Sequence, residues 1–443
     1  MPATEVAREA ESAAIAPSAS PRVGCSIRIG VLARAGTGNL GDEALIATVV
    51  ANLRRRFPEA CITGITYAPL DTAERHGIAA RPMCRPEPPC PPSDTPEMVV
   101  PRRPWPPLLR WPARVLRGAW RRARQLPAEL RFLRGSLAFA RSTDLLVVAG
   151  SQQLNDHWGG PWRHPFVLLK WSCMARLARV PLAFMSVGAG PLHSRLGTVF
   201  VRATLALASY RSVRDPDSRE CLHAIGVPGE TPIIPDLVFG LEPTAAPLRC
   251  SGRRRVVGIN AMPAFDPAQW PENDPVVFAG YVAALAQFAD QLIVDGYDVA
   301  FFPTQVRADP GVTEKICGAM RCGTSHHVTR VSVDSVEGLT RALTRMDAVV
   351  ATRYHGVLLA LLLAKPVVAI AYHAKTRELM QMVGLDKYTL DIHALRVPEL
   401  HECFGSLASL GWRLPQAAEQ RIDELRRLVQ DQYDQVIGLV AHG

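Results

Sequence analysis

The stretch Gly36-Thr-Gly-Asn-Leu-Gly-Asp-Glu-Ala-Leu45 joins an apolar run to a helical pattern, and it decides the fold class. Residues 26–33 before it predict a buried strand, and residues 45–53 carry apolar side chains at helical spacing. Glycines between a strand and a helix let the backbone turn sharply and approach a ligand closely. Open α/β sheets build their ligand sites at such junctions. The stretch therefore predicts a Rossmann-like domain with a site at this point.

The three glycines of this stretch also satisfy the dinucleotide fingerprint G-x-G-x-x-G. A pyrophosphate at this helix start would, however, face Asp42 and Glu43, whose negative charges repel it. The fingerprint further expects an acidic residue after the second strand, and the apolar run at 61–67 ends without one. The pattern therefore argues against a nicotinamide or flavin cofactor.

Predicted strands and helices alternate in two blocks along a chain of 443 residues, which is longer than one ordinary domain. This rhythm predicts an α/β fold of two doubly wound, Rossmann-like domains that face a cleft. We place a disordered tail at residues 1–25, the N-terminal domain at 26–245 and the C-terminal domain at 250–412. Residues 413–443 predict a helix that packs back on the N-terminal domain.

An insertion at residues 82–141 interrupts the N-terminal domain and holds the basic charge. Residues 102–141 contain eleven arginines and one acid, and this balance of +10 leaves the rest of a chain of net charge +9 near −1. The charge is therefore local, and we expect no nucleic acid as a partner. Twelve prolines at 82–112 predict a loop, followed by basic helices with interleaved tryptophans.

This composition leaves two alternatives for the insertion. Arginine with interleaved tryptophan suits an anionic membrane surface, which residues 102–134 would contact. A solvated, partly disordered segment explains the composition equally well, because no continuous amphipathic face crosses Pro112 and Pro127.

The cellular location of the protein and its expected lack of a bound metal are predicted from features that the sequence lacks. Apolar runs of bilayer-spanning length and the apolar core of a signal peptide are both missing, so we expect a cytoplasmic protein, with contact at the inner face of the membrane through the insertion. The ten cysteines form no CxxC pair, which indicates reduced, mostly structural thiols. Histidines and cysteines do not cluster at tetrahedral spacing, so we expect no metal.

A second junction, Thr352-Arg-Tyr-His-Gly356, follows a predicted strand at 346–351 and precedes a predicted helix. Arg353 presents a planar fork that suits a carboxylate or phosphate, and the following helix start adds a positive dipole. His355 can give or take a proton near neutral pH. The alternative for His355 is a capping or core histidine. Placement at a strand end favours the functional interpretation.

These motifs form part of a longer series. It comprises Gly38-Asn-Leu-Gly-Asp-Glu-Ala-Leu45, Val213-Arg-Asp215, Pro235-Asp236, Thr352-Arg-Tyr-His-Gly356, Lys365-Pro-Val-Val-Ala-Ile-Ala-Tyr372, Lys375 and Met382-Val-Gly-Leu385. The series resembles the motifs of the polysaccharide pyruvyltransferases in order and spacing. The resemblance covers most of residues 27–390. That family transfers the enolpyruvyl unit of phosphoenolpyruvate to a sugar diol as a ketal. The resemblance implies a GT-B-like fold, no metal and no cofactor besides phosphoenolpyruvate as donor substrate. It also associates Arg214, Arg353 and His355 with phosphoenolpyruvate.

The chemistry can be assembled from these residues as a hypothesis. Arg214, Arg353 and Lys375 supply three cations for the carboxylate and phosphate of the donor. His355 is the candidate general acid and base, and Asp42 or Glu43 would orient or deprotonate the acceptor hydroxyl across the cleft. The remaining candidates for substrate binding lie at the same two junctions and are Gly38, Asn39, Gly41 and Tyr354.

Three aspartates have helix capping as an alternative role. For Asp42 capping and substrate contact carry equal weight, since a carboxylate at a helix start is favourable by itself. Asp215 and Asp236 are expected to be caps or turn formers.

Three features depart from the family: the segment after the third strand, Lys365 where a small residue is usual, and the large insertion at 82–141. Relatives usually carry a glycine run after the third strand, whereas this chain has Gly150-Ser-Gln-Gln-Leu-Asn-Asp156. Polar side chains there would narrow or polarise the wall of the cleft, so we expect a different choice of acceptor. Free polysaccharide, a lipid-linked repeat unit, a glycolipid and a nucleotide sugar all remain open.

Two other functions remain open as well. A GT-B-like glycosyltransferase using a nucleotide sugar has the same architecture, and a fold does not decide a reaction. A scaffold or regulator that lost turnover is favoured only by the altered segment at 150–156. The intact Arg353, His355, Arg214 and Lys375 argue against it.

Overall fold

The structure is a computed structural model that describes residues 27–36, 38–85, 126–157, 159–242, 253–270 and 272–441. The predicted tail and residues 86–125 of the predicted insertion lie outside the described residues. The three tryptophans of the insertion, and with them most of the segment proposed to contact a membrane, belong to that part.

The N-terminal domain is built on a parallel sheet of six strands in the order β3-β2-β1-β4-β5-β6. Its strands are β1 (Arg28–Leu32), β2 (Cys61–Thr66), β3 (Ala79–Pro82), β4 (Leu145–Ala149), β5 (Leu182–Val187) and β6 (Tyr210–Val213). The central strands β4 and β5 are buried along their whole length, because helices cover both faces of the sheet.

The helices of this domain connect the strands in βαβ order. They are α1 (Leu40–Arg56), α2 (Pro69–His76), α3 (126–141), α4 (His164–Ala178), α5 (Arg195–Ala206) and α6 (Pro216–Ala224). Helix α1 begins five residues before the apolar pattern that predicted it. A 3₁₀ turn at Leu237–Gly240 then leads toward the second domain.

The C-terminal domain repeats the same topology, with the strand order β12-β11-β10-β7-β8-β9. Its strands are β7 (Val256–Asn260), β8 (Asp298–Phe301), β9 (Val328–Arg330), β10 (Ala348–Ala351), β11 (Val367–Ala371) and β12 (Thr389–Asp391). Its helices are α7 (Pro275–Val294), α8 (Asp309–Ala319), α9 (Val336–Thr344), α10 (Tyr354–Leu362), α11 (Ala374–Met382) and α12 (Val397–Ala408). The predicted fold of two doubly wound, Rossmann-like domains is confirmed.

Helix α13 (Gln416–Ala441) closes the chain and returns to the N-terminal domain. Gln432 is 1% exposed and accepts a hydrogen bond from Ser186 of β5. Arg56 at the end of α1 forms a salt bridge of 2.6 Å with Asp434. The helix therefore ties the end of the chain to the first sheet.

The two domains also join directly at the first junction. The Leu40 N–H donates to the carbonyl of Thr304 at 2.8 Å, and the Val306 N–H donates to the carbonyl of Gly38 at 2.9 Å. Asn39 and Gln305 thereby form an antiparallel bridge. Since residues 304–306 follow β8, the carboxyl edges of both sheets face the same cleft.

Helix α7 is, within the described ranges, the one helix long and apolar enough to cross a bilayer. Its apolar side chains include Tyr281, Leu285 and Phe288, which are buried in the core of the C-terminal domain. A core helix of a folded domain meets the same criterion of length and composition.

The expectation of reduced thiols is wrong for one cysteine. Cys61 at the start of β2 is disulfide-bonded, whereas the six other described cysteines form no disulfide. The spacing of cysteines in the sequence could not reveal this, because the pairing depends on which segments the fold brings together.

Candidate active site

The first junction starts helix α1 with a side-chain cap. Asn39 has extended backbone angles, and its Oδ1 accepts the Gly41 N–H at 3.1 Å. Its Nδ2 donates to Oδ2 of Asp42 at 2.9 Å. Asn39 is therefore the cap, and Asp42 lies in the first turn beside the positive end of the helix dipole.

At two positions of this junction, neighbouring atoms lie so close that a residue with a side chain is disfavoured. Gly38 has a φ of +79°, and it lies against Val306 and Arg307 of the other domain. A Cβ on Gly41 would lie 2.0 Å from Nδ1 of His355, which is far inside van der Waals contact. The absence of a side chain at Gly41 thus lets the imidazole ring rest on the first turn of α1.

The second junction is held by the neighbouring strand. The backbone N–H of Arg353 donates to Oδ1 of Asn260, the last residue of β7, at 3.2 Å. Gly356 packs on the same amide, because a Cβ there would lie 2.7 Å from Oδ1 of Asn260. Helix α10 begins at Tyr354, so His355 projects from its first turn into the cleft.

His355 lies where the two junctions meet, with 12% of its side chain exposed. Burial lowers the pKa of its imidazole, although the negative charges of Asp236 and Asp42 act in the opposite direction. Nε2 is buried and has no hydrogen-bond partner within the described part of the chain. The nearest carboxylate oxygen, Oδ2 of Asp236, is 4.0 Å away, which is too far for a hydrogen bond. The neutral ring thus keeps one nitrogen available for a substrate.

Asp42 reaches the same point from the first junction. Burial raises the pKa of its carboxyl group, while the positive charge that His355 can carry and a hydrogen bond from Ser151 oppose the shift. Ser151 Oγ donates to Oδ1 of Asp42 at 2.9 Å. The structure therefore brings Asp42 and His355 together.

Glu43 points elsewhere and is 2% exposed. Its Oε1 accepts the Gly36 N–H at 2.8 Å, and its Oε2 lies 2.9 Å from Nε2 of His76. Both oxygens are used within the N-terminal domain, where they fix the loop before α1. The structure does not place Glu43 with the other candidates.

Arg214 follows strand β6 and is 5% exposed. Its guanidinium donates to Oδ2 of Asp215 at 3.2 Å, to Oδ2 of Asp236 at 3.3 Å and to Oε1 of Gln152 at 2.7 Å. Burial acts to lower its pKa, but the charges led by Asp236 raise it, so the arginine stays charged. It also lies 5.4 Å from the ring centre of Tyr354.

Tyr354 therefore joins the two domains through its ring. Burial raises the pKa of its phenol, and the negative charge of Asp236 acts in the same direction. A neutral hydroxyl at this point can donate a hydrogen bond without adding charge.

Arg353 is held by one buried carboxylate. Oδ1 of Asp309 accepts from Nε at 3.0 Å and from a terminal nitrogen at 2.6 Å. Asp309 itself is 0% exposed, and its other oxygen, Oδ2, accepts the backbone N–H groups of Thr304 and Gln305. Asp309 therefore positions both Arg353 and the loop that contacts the first junction.

Lys375 lies in the first turn of α11, with Nζ 5.5 Å from the ring centre of Tyr372. Burial acts to raise the pKa of Tyr372, but the positive charge of Lys375, followed by that of Arg353, lowers it below its usual value. Within the described ranges no carboxylate forms an ion pair with Lys375, which leaves this cation the least neutralised of the three.

The predicted capping roles of Asp215 and Asp236 are confirmed. Asp215 accepts the Ser218 N–H at 2.7 Å and caps α6, and Asp236 accepts the Val238 N–H at 3.1 Å. Both carboxylates also bind Arg214, a second role that the sequence interpretation missed. Capping motifs can be seen in a sequence, whereas a partner from another element cannot.

One further group was missed, Asp309, whereas the polar segment after β4 was expected to line the cleft. Ser151 and Gln152 of that segment contact Asp42 and Arg214 respectively, so the polarised wall expected there is part of the site. The departure from a glycine run was the available signal. Gly188 faces this segment, since a Cβ there would lie 2.3 Å from Oε1 of Gln152.

A pair of carboxyl groups spans the domains beside Arg214. Glu378 of α11 shares a hydrogen bond with Asp217 of α6. Burial, this bond and the charge of Asp215 raise the pKa of Glu378 to about 7. Two carboxyl groups can share a hydrogen bond only when one of them is protonated.

The described residues contain no group of three or more His, Cys, Asp or Glu side chains placed to hold a metal ion. The functional groups converging on the cleft are instead two arginines, one lysine, one histidine and their carboxylate partners. This arrangement on two Rossmann-like domains defines a GT-B-like enzyme class whose cleft suits an anionic ligand.

Comparison with known families gives a closer identification. A family profile described as polysaccharide pyruvyl transferase matches residues 39–374, roughly three quarters of the chain. The chain belongs to the polysaccharide pyruvyl transferase family, and the resemblance drawn from its motifs is confirmed. Among proteins with curated descriptions, none is significantly similar in sequence.

Solved structures with similar folds include two epimerases. A putative UDP-N-acetylglucosamine 2-epimerase from Listeria monocytogenes has a TM-score of 0.56 at 10% identity, over 93% of this chain and 95% of that one. The UDP-GlcNAc 2-epimerase from Neisseria meningitidis, bound to UDP-GlcNAc, has a TM-score of 0.52 at 10% identity, over 94% of this chain and 100% of that one. At such identity the likeness shows the fold alone.

Proposed function

We propose that the protein transfers the enolpyruvyl group of phosphoenolpyruvate to two hydroxyls of one sugar in a cell-envelope glycan or glycolipid precursor. The product is a pyruvate ketal, and phosphate is released. The observation that carries this proposal is the unpartnered Nε2 of His355, which lies between Asp42 and the arginine cluster.

Donor binding would use the three cations at the carboxyl ends of the strands. Lys375 is the cation most available to a new anion, and Arg214 and Arg353 are already oriented by their carboxylates. Preoriented guanidinium groups need little reorganisation when a carboxylate or phosphate arrives. Tyr354 can add a neutral donor beside Arg214.

The reaction then needs two hydroxyl additions and one loss of phosphate. Neutral His355 would take the proton of the first hydroxyl through Nε2 and return it to the methylene carbon of the donor, while the hydroxyl oxygen bonds to the central carbon. Breaking the carbon–oxygen bond to phosphate opens that carbon to the second hydroxyl. The proton of the second hydroxyl leaves with phosphate, so both hydroxyl protons are accounted for.

Asp42 is proposed to bind the acceptor hydroxyl from the opposite side. Its hydrogen bonds from Asn39 and Ser151 fix both carboxylate oxygens at the start of α1. A fixed acceptor of hydrogen bonds can hold a hydroxyl group in line for attack. Because Asp42 is close to His355, a hydroxyl bound there would lie within reach of the proposed base.

The direct test is incubation with phosphoenolpyruvate and a panel of cell-envelope glycan precursors. We expect phosphate release only with a suitable acceptor, together with the mass gain of a pyruvyl ketal on that acceptor. Phosphate release without a ketal, or a ketal formed equally by the His355→Ala variant, would contradict the proposal.

A glycosyltransferase with a nucleotide-sugar donor is the second candidate, favoured by the two-domain architecture shared with sugar-nucleotide enzymes. Thermal denaturation distinguishes the two, because a ligand stabilises the state that binds it. We expect phosphoenolpyruvate to raise the Tm and this rise to be smaller in Arg353→Lys at the same ligand concentration. Stabilisation by UDP- or GDP-sugars alone would favour the second candidate.

We further propose a cytoplasmic enzyme that contacts the inner face of the membrane through residues 102–134. Helix α3 supports this idea, since Leu126 and Leu130 are 56% and 46% exposed next to basic residues. Deleting the segment would remove Glu129, whose carboxylate holds Lys170 of α4 at 2.7 Å. The better variant replaces Arg117, Arg121, Arg122 and Arg124 with glutamine.

Vesicles containing phosphatidylserine provide the measurement for this contact. We expect the unaltered protein to cosediment with them, and the four-glutamine variant and high salt each to abolish binding. Unchanged binding in either case would show that the segment is not an electrostatic anchor.

A further inference from the structure

A corner of the N-terminal domain carries an exposed indole beside polar rings. Trp162, two residues before the start of α4, is 63% exposed. Its ring centre lies 5.1 Å from that of Phe166 and 5.3 Å from that of Phe200, with edge-to-face angles of 68° and 72°. Two aromatic rings therefore hold the indole in place while most of its surface stays in contact with solvent.

Two histidines stand on the same corner. Nδ1 of His157 lies 3.3 Å from Nε2 of His193, and both side chains are accessible. Asp156, next to His157, accepts the backbone N–H groups of His193 and Ser194 at 2.7 and 2.9 Å. The carboxylate thereby fastens the segment after β4 to the start of α5.

The aromatic side chains and the two histidines lie on helices α4 and α5 or in the segments that lead into them. The carbonyl of Asp156 accepts the Gly160 N–H at 3.1 Å, which turns the chain toward Trp162. Phe200 lies one turn beyond Gly197, whose missing Cβ leaves room for the Asp156 carboxylate. We call the surface formed by His157, Trp162 and His193 the indole shelf.

The indole shelf and the candidate active site share the segment after β4. Ser151 and Gln152, which contact Asp42 and Arg214, belong to the same segment as His157. Five residues of extended chain span at most about 18 Å, so the shelf begins within that distance of Gln152. Helices α4 and α5 both start at the carboxyl edge of the first sheet, where the cleft opens.

We propose that the indole shelf binds a sugar unit of an extended glycan acceptor, at least one unit away from the sugar that reacts. The C–H groups of a pyranose face pack against the negative face of an indole. Imidazole nitrogens offer both donors and acceptors to the surrounding hydroxyls. A lipid chain would instead bury the polar ring edges of both histidines against hydrocarbon, which is unfavourable. This inference rests on the proposed transfer to a glycan, and it adds which part of the protein recognises acceptor length.

Binding can be measured without phosphoenolpyruvate, by calorimetry and by the indole N–H signal of Trp162 in nuclear magnetic resonance spectra. The probes are cellotetraose and lacto-N-tetraose, with galactose and glucose as single sugars. Comparison with the spectrum of Trp162→Phe assigns the signal. We expect a tetrasaccharide, but not the single sugars, to shift it.

Three variants separate stacking from general surface effects. Trp162→Ala should weaken tetrasaccharide binding about tenfold, since that factor corresponds to the roughly 1.4 kcal/mol of one good aromatic contact. Trp162→Phe keeps a ring and should lose much less. Leu177→Ala, which removes another exposed apolar side chain at the far end of α4, should change nothing. Because Trp162 is exposed, the Tm of each variant should stay near that of the unaltered protein.

Failure of the indole shelf can be distinguished from failure of the proposed reaction. No binding of either tetrasaccharide, or equal binding by Trp162→Ala, would overturn the shelf even if phosphate release with an acceptor is observed. Loss of vesicle binding in Trp162→Ala with unchanged tetrasaccharide affinity would assign the surface to lipid and also overturn it. A shifted indole signal in a protein that releases no phosphate would support the shelf and count against the reaction.

Discussion

The two junctions that meet in the cleft have the same topology but opposite chemistry. Each follows a central strand of a sheet with the same strand order, and each starts a helix. The first, residues 38–45, brings a carboxylate and a glycine surface. The second, residues 352–356, brings an arginine, a phenol and an imidazole.

This difference shows how a cleft between similar domains becomes asymmetric. A carboxylate at the start of α1 repels an anionic donor, so the donor belongs with the cations of α10 and α11. The first junction is left to hold the acceptor. Gly41 connects the two functions, because its bare Cα supports the ring of His355.

The sharpest way to break this comparison is His355→Ala. We expect kcat for phosphate release to fall about a thousandfold, within the usual range for losing a general acid or base. Nε2 of His355 holds no described group by a hydrogen bond, so its loss leaves no partner of that nitrogen unpaired and circular dichroism should show an intact fold. Near-normal turnover would remove His355 from the mechanism, and a larger loss in Asp42→Asn would transfer the chemistry to the first junction.

Gly41→Ala tests whether the junctions act through contact. The new Cβ would lie 2.0 Å from Nδ1 of His355, so the ring must move. A displacement of about 1 Å at a reacting group can cost a hundredfold in kcat. We expect that loss with little change in the affinity for phosphoenolpyruvate. Ala44→Gly in the same helix is the matched control for backbone flexibility.

The donor side is tested by Arg353→Lys and Arg214→Lys. Each keeps the charge and loses the planar fork, so we expect affinity for phosphoenolpyruvate to fall roughly tenfold. Alanine at either position should weaken binding further, but it also leaves buried carboxylates unpaired, which destabilises the fold. Unchanged affinity in both lysine variants would refute the donor assignment.

The pKa of His355, compared with that of a free histidine, tests the environment of the imidazole without an enzymatic reaction. Burial lowers this pKa, so the imidazole should titrate below the value of about 6.5 for a free histidine. As pH falls below about 6.5, the unfolded chain therefore binds a proton at this residue before the folded chain does. Since this favours the unfolded state, His355 should lower the free energy of unfolding as pH falls. Titration by nuclear magnetic resonance, assigned with His355→Ala, measures it. A pKa above 6.5 would contradict the lowering by burial and count against a neutral resting imidazole.

The smallest effect on turnover is expected for Glu43→Gln. Its carboxylate contacts Gly36 and His76 within the first domain, so kcat should stay within about twofold, since the reacting groups do not move. Stability should fall by about 1–3 kcal/mol, as expected when a buried hydrogen-bond partner is impaired. Urea denaturation measures this loss. A large drop in kcat at unchanged stability would return Glu43 to the catalytic candidates.

The sequence could predict the elements whose pattern is strong. Buried strands such as β4 and β10 are short apolar runs, and α7 and α13 are long periodic segments, so their positions follow from hydrophobic spacing. Helix α11 and strand β12 have weak patterns and were missed. The start of α1 was misplaced because its first turn holds a glycine and two acids, and the Asn39 cap stabilises that turn nevertheless.

The candidate site was predictable only in part, for a physical reason. Motifs at strand ends identify Arg353, His355 and Asp42, since those positions face the cleft in any doubly wound domain. Arg214 was identified through the resemblance to the family. The partners that orient them, Asp309 and Gln152, come from distant segments. Nothing in the local sequence of Asp309 distinguishes it from a surface residue, and the signal for Gln152 was the polar segment that replaces the glycine run of the family. The direction of Glu43 depends likewise on His76, which lies 33 residues along the chain.

The backbone bonds between residues 38–40 and 304–306 bear on how a substrate enters and a product leaves. Separating the domains at this point breaks both of these hydrogen bonds. At about 1 kcal/mol each, the two bonds alone would hold the separated form to a few per cent of the molecules. The apparent affinity for a ligand that enters through the separated form is reduced by the same fraction. The residence times of phosphate and ketal would then depend on these two backbone hydrogen bonds between the domains. The residues that carry out the chemistry would not set them.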